Sequence, residues 1–324
     1  MKGRMCKICG NTDGNKIHAA REMLFGYREE FKYIECSKCG CLQIKDIPEN
    51  LSKYYPGNYC SYKKRLRLNV FKDNFLIGFL KRRRTGNYLG DYNIIGSLAS
   101  RIYRVPGFLT GIKKARLNID SEILDVGCGS GRFLLKLQRE GFRNLTGIDP
   151  FIEADISYKN VNIYKKDMKD MERQFDFVVL SHSFEHMPQP LSALRELHRI
   201  VKPGRYVLIR IPIASSFAWK KYGVNWVGLD APRHLFLHTV ESMRLLAEEA
   251  GFEIKDIVFE SSEFQFWGSE QYLRDVPLMD GKSYYVNKKE SAFSEEDIKA
   301  FKIRASELNK QGDGDQAGFF LYKP

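Results

Sequence analysis

Cysteine, glycine, aspartate and histidine stand in this 324-residue chain at spacings that can do chemistry. Four cysteines form two C-x-x-C-G knuckles, Cys6-Lys-Ile-Cys9-Gly and Cys36-Ser-Lys-Cys39-Gly, with 26 residues between Cys9 and Cys36. Each knuckle sets two thiolates at one turn, and four thiolates complete a tetrahedron around Zn²⁺. With every coordination position filled by protein, such a zinc is structural and not catalytic. A redox pair is disfavoured because neither knuckle opens a βαβ unit. Cys41 is the alternative to Cys39 as fourth ligand, and Cys60 and Cys128 read as free thiols.

The second constellation is Ile123-Leu-Asp-Val-Gly-Cys-Gly-Ser-Gly-Arg-Phe-Leu134, where an apolar strand runs into Gly127, Gly129 and Gly131 and an amphipathic helix follows at once. Glycines here let the backbone turn tightly and let a ligand approach where a Cβ would stand. Asp149 lies 22 residues beyond Gly127, at the end of the next apolar run, where a carboxylate can accept from both hydroxyls of a ribose. A dinucleotide fingerprint needs its third glycine three positions after the second, but Gly131 comes two after Gly129. No Lys-Ser/Thr follows, so a P-loop is excluded as well. Asp125 at the strand mouth would repel a pyrophosphate and suit a cationic amino-acid group, which favours S-adenosylmethionine over NAD.

From Glu122 to about Ser261 the chain resembles the class I S-adenosylmethionine-dependent methyltransferases. The matching segments are, in order, ILDVGCGSGRFL, TGIDP, KKDM, FDFVVLSHSFEHMPQP and LRELHRIVKPGRYVLIRIP. The resemblance implies that Asp125 and the loop of Gly127, Cys128, Gly129 and Gly131 hold the methionine end. It places the ribose at Asp149 with Pro150 beside it, adenine at Asp167 and Met168, and the sulfonium above Ser181. It implies a Rossmann-like seven-stranded sheet with helices on both faces. Its last two strands would be FEIKDIVFE and GFFLYK, separated by an insertion at about 262–315. The knuckles, followed by Tyr54-Tyr55-Pro56 and Tyr59, resemble the zinc-binding domain of some bacterial sugar methyltransferases. The run over 218–235 resembles methyltransferases of bacterial surface-polysaccharide biosynthesis. The long C-terminal domain of the deoxysugar C-methyltransferases has no counterpart.

Methyl transfer is an in-line displacement, so the protein chiefly positions two reactants, and a hydroxyl acceptor also needs a base. Two histidine clusters stand where this fold places the acceptor: Ser181-His182-Ser-Phe-Glu185-His186, and Asp230-Ala-Pro-Arg233-His234-Leu-Phe-Leu-His238. His182 and His234 are the candidate bases. Arg233 could pair with an anionic group on the acceptor or with Asp230. Trp219, Tyr222 and Trp226 offer aromatic faces that suit a sugar ring or a loop packed inside the protein.

Short apolar runs alternate with amphipathic stretches from Ser121 onward, which predicts βαβ units and a parallel sheet. Strands are expected at 122–127, 144–149, 161–167, 175–181, 205–212 and 252–260, and helices at 131–140, 191–201 and 240–250. Thr239 stands at an N-cap position, and Ser294 opens a capping box for a helix to about Leu308. Upstream, helical pieces are expected around 66–83 and 94–117. The division is a zinc ribbon over 1–60, a basic, partly helical linker or lid over 61–118, and the methyltransferase domain over 119–324.

Composition limits the rest. Apolar residues at 43% and charged residues at 28% are ordinary for a globular chain. No apolar run approaches the ~20 residues that span a bilayer. The start lacks the apolar stretch of a secretory signal, so the cytoplasm is the expected location. The formal charge of +12 resides wholly in residues 61–116, with 14 basic residues, among them Lys63, Lys64, Arg65, Arg67 and the run Lys81–Arg84, against Asp73 and Asp91. That segment could meet an anionic membrane or a phosphate- or lipid-linked acceptor, track RNA, or cover the site as a lid. The leading reading is O-methylation of a sugar or glycan-type acceptor, with S-adenosylmethionine as cofactor, structural zinc and a histidine base. The alternatives are an RNA methyltransferase gripping with its ribbon and basic segment, and a non-catalytic cofactor-binding protein. SHSFEHMPQP stands where an amine methyltransferase would carry Asn/Asp-Pro-Pro-Tyr.

Overall fold

The computed structural model describes residues 5–56 and 74–324. Cys60, Tyr59, the basic residues at 63–67 and the predicted helix before residue 74 lie outside that range. In chain order come strands β1 (Lys16–Arg21), β2 (Glu30–Glu35) and β3 (Leu42–Ile44), then helices α1 (Phe75–Leu89), α2 (Ile94–Ile102) and α3 (Leu109–Lys114). There follow β4 (Glu122–Val126), α4 (Arg132–Glu140), β5 (Asn144–Ile148), β6 (Ile156–Tyr158), β7 (Val161–Tyr164), β8 (Phe175–Ser181), α5 (Pro190–Ile200) and β9 (Val201–Pro212). The chain continues through α6 (Phe217–Tyr222), β10 (Phe236–Leu237), α7 (Val240–Glu249), β11 (Glu253–Phe259), α8 (Phe264–Leu273), α9 (Glu295–Gln311) and β12 (Gln316–Tyr322).

Two sheets result. The larger has the order β11-β12-β9-β8-β4-β5-β7-β6. β4 pairs in parallel with both β5 and β8, and β5 with β7. Its central strands are almost continuously buried, as parallel strands covered on both sides must be: Ile123, Leu124 and Val126 in β4, Leu145 and Ile148 in β5, and Phe177 to Leu180 in β8. The sheet has eight strands where seven are expected, because the turn at Lys159–Asn160 folds β6 back antiparallel on β7. FEIKDIVFE and GFFLYK do become neighbours, as β11 and β12.

The smaller sheet is β1-β2-β3-β10, antiparallel throughout. Its fourth strand comes from far along the chain: Phe236 pairs with Gln43 and Leu237 with Leu42. The cysteine-rich start and the second histidine segment therefore share one sheet. The chain forms two compact units, one of residues 1–55, 182–194 and 209–320, the other of 56–181, 195–208 and 321–324.

Local chemistry explains the element ends. Thr239 caps α7 by accepting the Ser242 N–H, and Ser242 reciprocates at the Thr239 N–H. Ser294 and Asp297 do the same for α9, which runs three residues past Leu308, to Gln311, before Gly312 closes it in the left-handed region. The expected helix over 94–117 breaks into α2 and α3 around Pro106 and Gly107. The insertion contributes α8 and α9. Among the described residues, no helix is long and apolar enough to cross a membrane.

The basic segment is not uniformly solvated. Asn74 caps α1 by accepting the Leu76 N–H. Arg84 is buried and pairs with buried Glu140 on α4, whose carboxylate also accepts from Thr85. A further Arg84 N–H donates to the Arg104 carbonyl at 2.8 Å. α2 packs closely on α1: a Cβ on Gly96 would come 2.3 Å from the Arg83 carbonyl oxygen. Its apolar residues Ile94, Leu98 and Ile102 face outward.

Removing one partner of a buried ion pair strands the other charge, at a cost of about 3–5 kcal/mol. Glu140→Ala should therefore speed amide hydrogen exchange across α1 by about two to three orders of magnitude. Unchanged protection of residues 75–89 would show that the pair does not hold this helix.

Candidate functional site

The glycine loop lies between β4 and α4. Gly127, Gly129 and Gly131 have φ of 71°, 50° and 69°, a region open to glycine and strained for other residues. The Gly127 N–H donates to the Ile148 carbonyl at 2.8 Å, so the loop is anchored on β5. Directly after β5 stands Asp149, 7% exposed. Its Oδ2 accepts the Gly129 N–H and its Oδ1 the Phe151 N–H, each at 2.9 Å. Each oxygen keeps a lone pair for a further donor, as a ribose-binding carboxylate requires. Asp125 is buried in β4. The Cys128 thiol is pushed far up by burial, with Asp125 and Asp149 adding to the effect. It is a neutral space-filler: a Cβ on Gly147 would lie 2.6 Å from its sulfur.

Pro150 is exposed beside Asp149. Asp167 caps a short 3₁₀ turn over Met168–Asp170, accepting the Lys169 N–H while Asp170 accepts the Asp167 N–H. Met168 is buried, and Ser181 is half-buried at the end of β8. Hydrogen bonding thus joins Asp149 to the loop, while Asp167 is engaged with its own turn.

The four knuckle cysteines converge. Cys6 Sγ lies 3.6 Å from Cys39 Sγ and Cys9 Sγ 3.5 Å from Cys36 Sγ, and all four sulfurs lie within 4.8 Å of one another. A zinc–sulfur bond of about 2.3 Å places tetrahedral sulfurs about 3.8 Å apart, so the quartet fits that ion. The Ile8 N–H points at Cys6 Sγ at 3.4 Å and the Cys39 N–H at Cys36 Sγ at 3.5 Å, as thiolates demand. The hydrogen bond from Cys39 holds the Cys6 thiol down at about 5 against the opposing effect of burial. Cys41 turns its sulfur to the Leu42 carbonyl and stands outside the quartet. Thr239 Oγ1 donates to the Cys39 carbonyl at 2.6 Å, fastening the second knuckle to the cap of α7.

The histidine segments meet at Glu185. This residue is fully buried, and among the described residues neither carboxylate oxygen has a hydrogen-bond partner. His182 Nδ1 lies 3.4 Å and His234 Nε2 3.8 Å from Glu185 Oε1. Burial alone would raise the Glu185 carboxyl; the surrounding imidazoles of His182, His186 and His234 hold it at about 2. The same carboxylate raises His182 despite an opposing desolvation effect. His182 is half exposed and takes φ of 54°, and Asp230 takes φ of 41°, both left-handed without being glycine. Such strain concentrates at functional sites.

Second-tier contacts fix the rings. His234 Nδ1 and His186 Nδ1 each lie 2.8 Å from a backbone carbonyl, of Gly228 and Arg233 respectively. A carbonyl only accepts, so Nδ1 carries a proton in each ring, and the neutral form of either ring keeps its lone pair on Nε2. Tyr33 on β2 donates to the His234 carbonyl at 2.8 Å, and the Tyr55 hydroxyl lies 3.1 Å from His186 Nδ1. Arg233 is fully buried and binds Glu22 at 2.9 Å and Asp230 at 2.7 Å, so it is a structural cation and is not presented to an acceptor. Trp226 is likewise buried, donating to Asp315 at 3.0 Å, and Tyr222 donates to Glu270 at 2.9 Å. His238 is buried against Phe236 and Phe184.

Sequence reasoning ranked Glu185 and His186 below His182 and His234 and gave Tyr55 no role in the site. The signal lay in the Glu-His pair itself, with His186 held by Tyr55 and the Arg233 carbonyl.

Residues 98–257 match the family model described as "Methyltransferase domain". The matched stretch is just under half of the chain. It resembles the ubiquinone biosynthesis O-methyltransferase of Pseudomonas aeruginosa, with 34% identity over 157 residues that cover 42% of this chain and 66% of that protein. The enzyme of the same name from Pseudomonas syringae pv. tomato is 33% identical over 157 residues, with the same shares covered. The chain thus spans just under two thirds of these relatives' length. Among solved structures, a SAM-dependent methyltransferase from Archaeoglobus fulgidus is 22% identical with a TM-score of 0.42, covering 70% of this chain and 99% of that one. The cyclopropane synthase MmaA2 of Mycobacterium tuberculosis is 14% identical with a TM-score of 0.43, covering 78% and 95%. Both of the Pseudomonas relatives are named for ubiquinone biosynthesis.

Arg233 bonds two carboxylates, of fully buried Glu22 and partly buried Asp230. Arg233→Ala should lower the free energy of unfolding by about 3–5 kcal/mol, measured by urea denaturation of the full chain. A loss below about 1 kcal/mol, the range of an exposed pair, would refute its structural role.

Proposed function

We propose that the protein is an S-adenosylmethionine-dependent O-methyltransferase acting on a hydroxyl of a small-molecule acceptor. The observation that carries this reading is Asp149, whose buried carboxylate is hydrogen-bonded into a loop of three left-handed glycines. Asp149 holds the ribose, Asp125 meets the amino group of the methionine end, and Met168 lies against adenine. Bound there, S-adenosylmethionine supplies an electrophilic methyl group on a positively charged sulfur. His182, the residue after Ser181, accepts the proton of the acceptor hydroxyl, with Glu185 stabilising the imidazolium. Similarity to O-methyltransferases of ubiquinone biosynthesis supports oxygen as the acceptor atom. A sugar acceptor is supported less, since Trp226 and Tyr222 are committed to internal hydrogen bonds. The cysteine quartet takes a structural Zn²⁺, whose binding energy braces the small sheet.

Calorimetric titration with S-adenosylmethionine, S-adenosylhomocysteine and NAD tests the cofactor assignment. Micromolar binding of the first two without NAD heat is expected, and Asp149→Ala should weaken it at least about tenfold, the value of one charge-assisted hydrogen bond. Wild-type affinity in that variant would sink the pocket assignment. Cys36→Ser should release one zinc per chain by metal analysis and lower the unfolding midpoint of the unit that holds the small sheet. Retention of zinc would exclude Cys36 as a ligand.

A further inference from the structure

Among the described residues neither oxygen of the buried Glu185 carboxylate has a hydrogen-bond partner, and the half-exposed His182 ring stands 3.4 Å from Oε1. A carboxylate withdrawn from water without hydrogen bonds costs several kcal/mol. His234 presents Nε2 to it at 3.8 Å, and in the neutral ring that nitrogen carries the lone pair because Nδ1–H is committed to the Gly228 carbonyl. His186 is held in the same tautomer by the Arg233 carbonyl, with its ring centroid 4.9 Å from that of His234. Ligating atoms of Glu185, His186 and His234 lie within 4.8 Å of one another. Either protons or a cation must separate them. Asp230, 3.8 Å from His234 Nε2, is compensated by Arg233 and does not supply the missing positive charge.

We propose that Glu185, His186 and His234 bind one divalent transition-metal ion, distinct from the zinc of the cysteine quartet. Two imidazoles and one carboxylate suit Mn²⁺, Fe²⁺, Co²⁺ or Zn²⁺ and are poor for Mg²⁺ or Ca²⁺, which favour all-oxygen sets. The Nδ1–H to carbonyl bonds are the outer contacts that orient ligating histidines. Three protein ligands leave coordination positions open, and these fit an acceptor carrying two adjacent oxygens, such as a vicinal diol, which would chelate the ion. This role rests on the methyltransferase reading above; the ion's binding does not. His182, half exposed and outside the ligand set, remains the proton acceptor.

The test uses the full chain with its ribbon zinc retained and Mn²⁺ as the probe, because manganese prefers nitrogen and oxygen to thiolate ligands. Loss of the free-ion electron paramagnetic resonance signal should report one Mn²⁺ per chain. His186→Ala and Glu185→Gln should each weaken that uptake about 10–100-fold, while zinc content stays at one per chain. Should either variant fail to fold, electron–nuclear resonance on the wild-type Mn²⁺ complex decides, since two directly bound histidine nitrogens are expected. No uptake of Mn²⁺ at millimolar concentration, uptake that survives both substitutions, or a bound ion without nitrogen couplings would each overturn the proposal. Binding of S-adenosylhomocysteine is measured in the same samples. Ion uptake without it leaves the metal site standing and removes the methyltransferase reading, and the reverse result removes the metal alone.

Discussion

The arrangement around the candidate acceptor site depends on one buried guanidinium. Arg233 satisfies Glu22 and Asp230 together and donates to the Tyr54 carbonyl at 3.2 Å. Glu22 in turn accepts the Phe25 and Tyr27 N–H groups, each at 3.0 Å, which closes the turn between β1 and β2. Asp230 is thereby held in its left-handed conformation, and the Arg233 carbonyl orients His186. A single residue thus supplies its charge to the cysteine-bearing sheet and its backbone to the histidines. Neither carboxylate could be buried there without it, because an unpaired buried anion costs more than local packing returns.

What the sequence made legible follows from how local each feature is. The knuckles and the glycine loop are written in residues a few positions apart, and backbone conformation enforces them: C-x-x-C places two sulfurs at one turn, and Gly127, Gly129 and Gly131 occupy φ values that other residues resist. The parallel strands were equally readable, since burial on both sides leaves an uninterrupted apolar run such as Phe177–Leu180. The two-residue strand β10 carries no such signature; only Leu42 and Gln43 across from it define it. The Glu185 cluster is hidden for the same reason, because Tyr33 and Gly228 approach it through tertiary folding.

Charge composition was the least reliable guide. Arg84 counts as one of a run of four basic residues, yet it is a buried structural ion, whereas Lys81 to Arg83 lie toward the surface. Arg233 is a parallel case. A guanidinium can be buried where an ammonium rarely is, because its planar fork reaches several acceptors at once and is weakly hydrated. A formal charge summed over a segment therefore overstates what that segment offers to an anionic partner.

Two buried carboxylates, Asp149 and Glu185, solve opposite problems. Asp149 accepts two backbone N–H groups, so its remaining lone pairs are presented in a fixed direction. Glu185 has no such bonds and depends on what its neighbours carry, whether protons or a cation. Asp149 is accordingly suited to hold a neutral, hydroxyl-bearing group that is bound and released unchanged. Glu185 is suited to a place where charge moves during the reaction, since a field with one deficit of positive charge stabilises an arriving proton on His182 or an arriving cation equally. The strained backbone at His182 lies beside this second carboxylate, where position is worth more than relaxation.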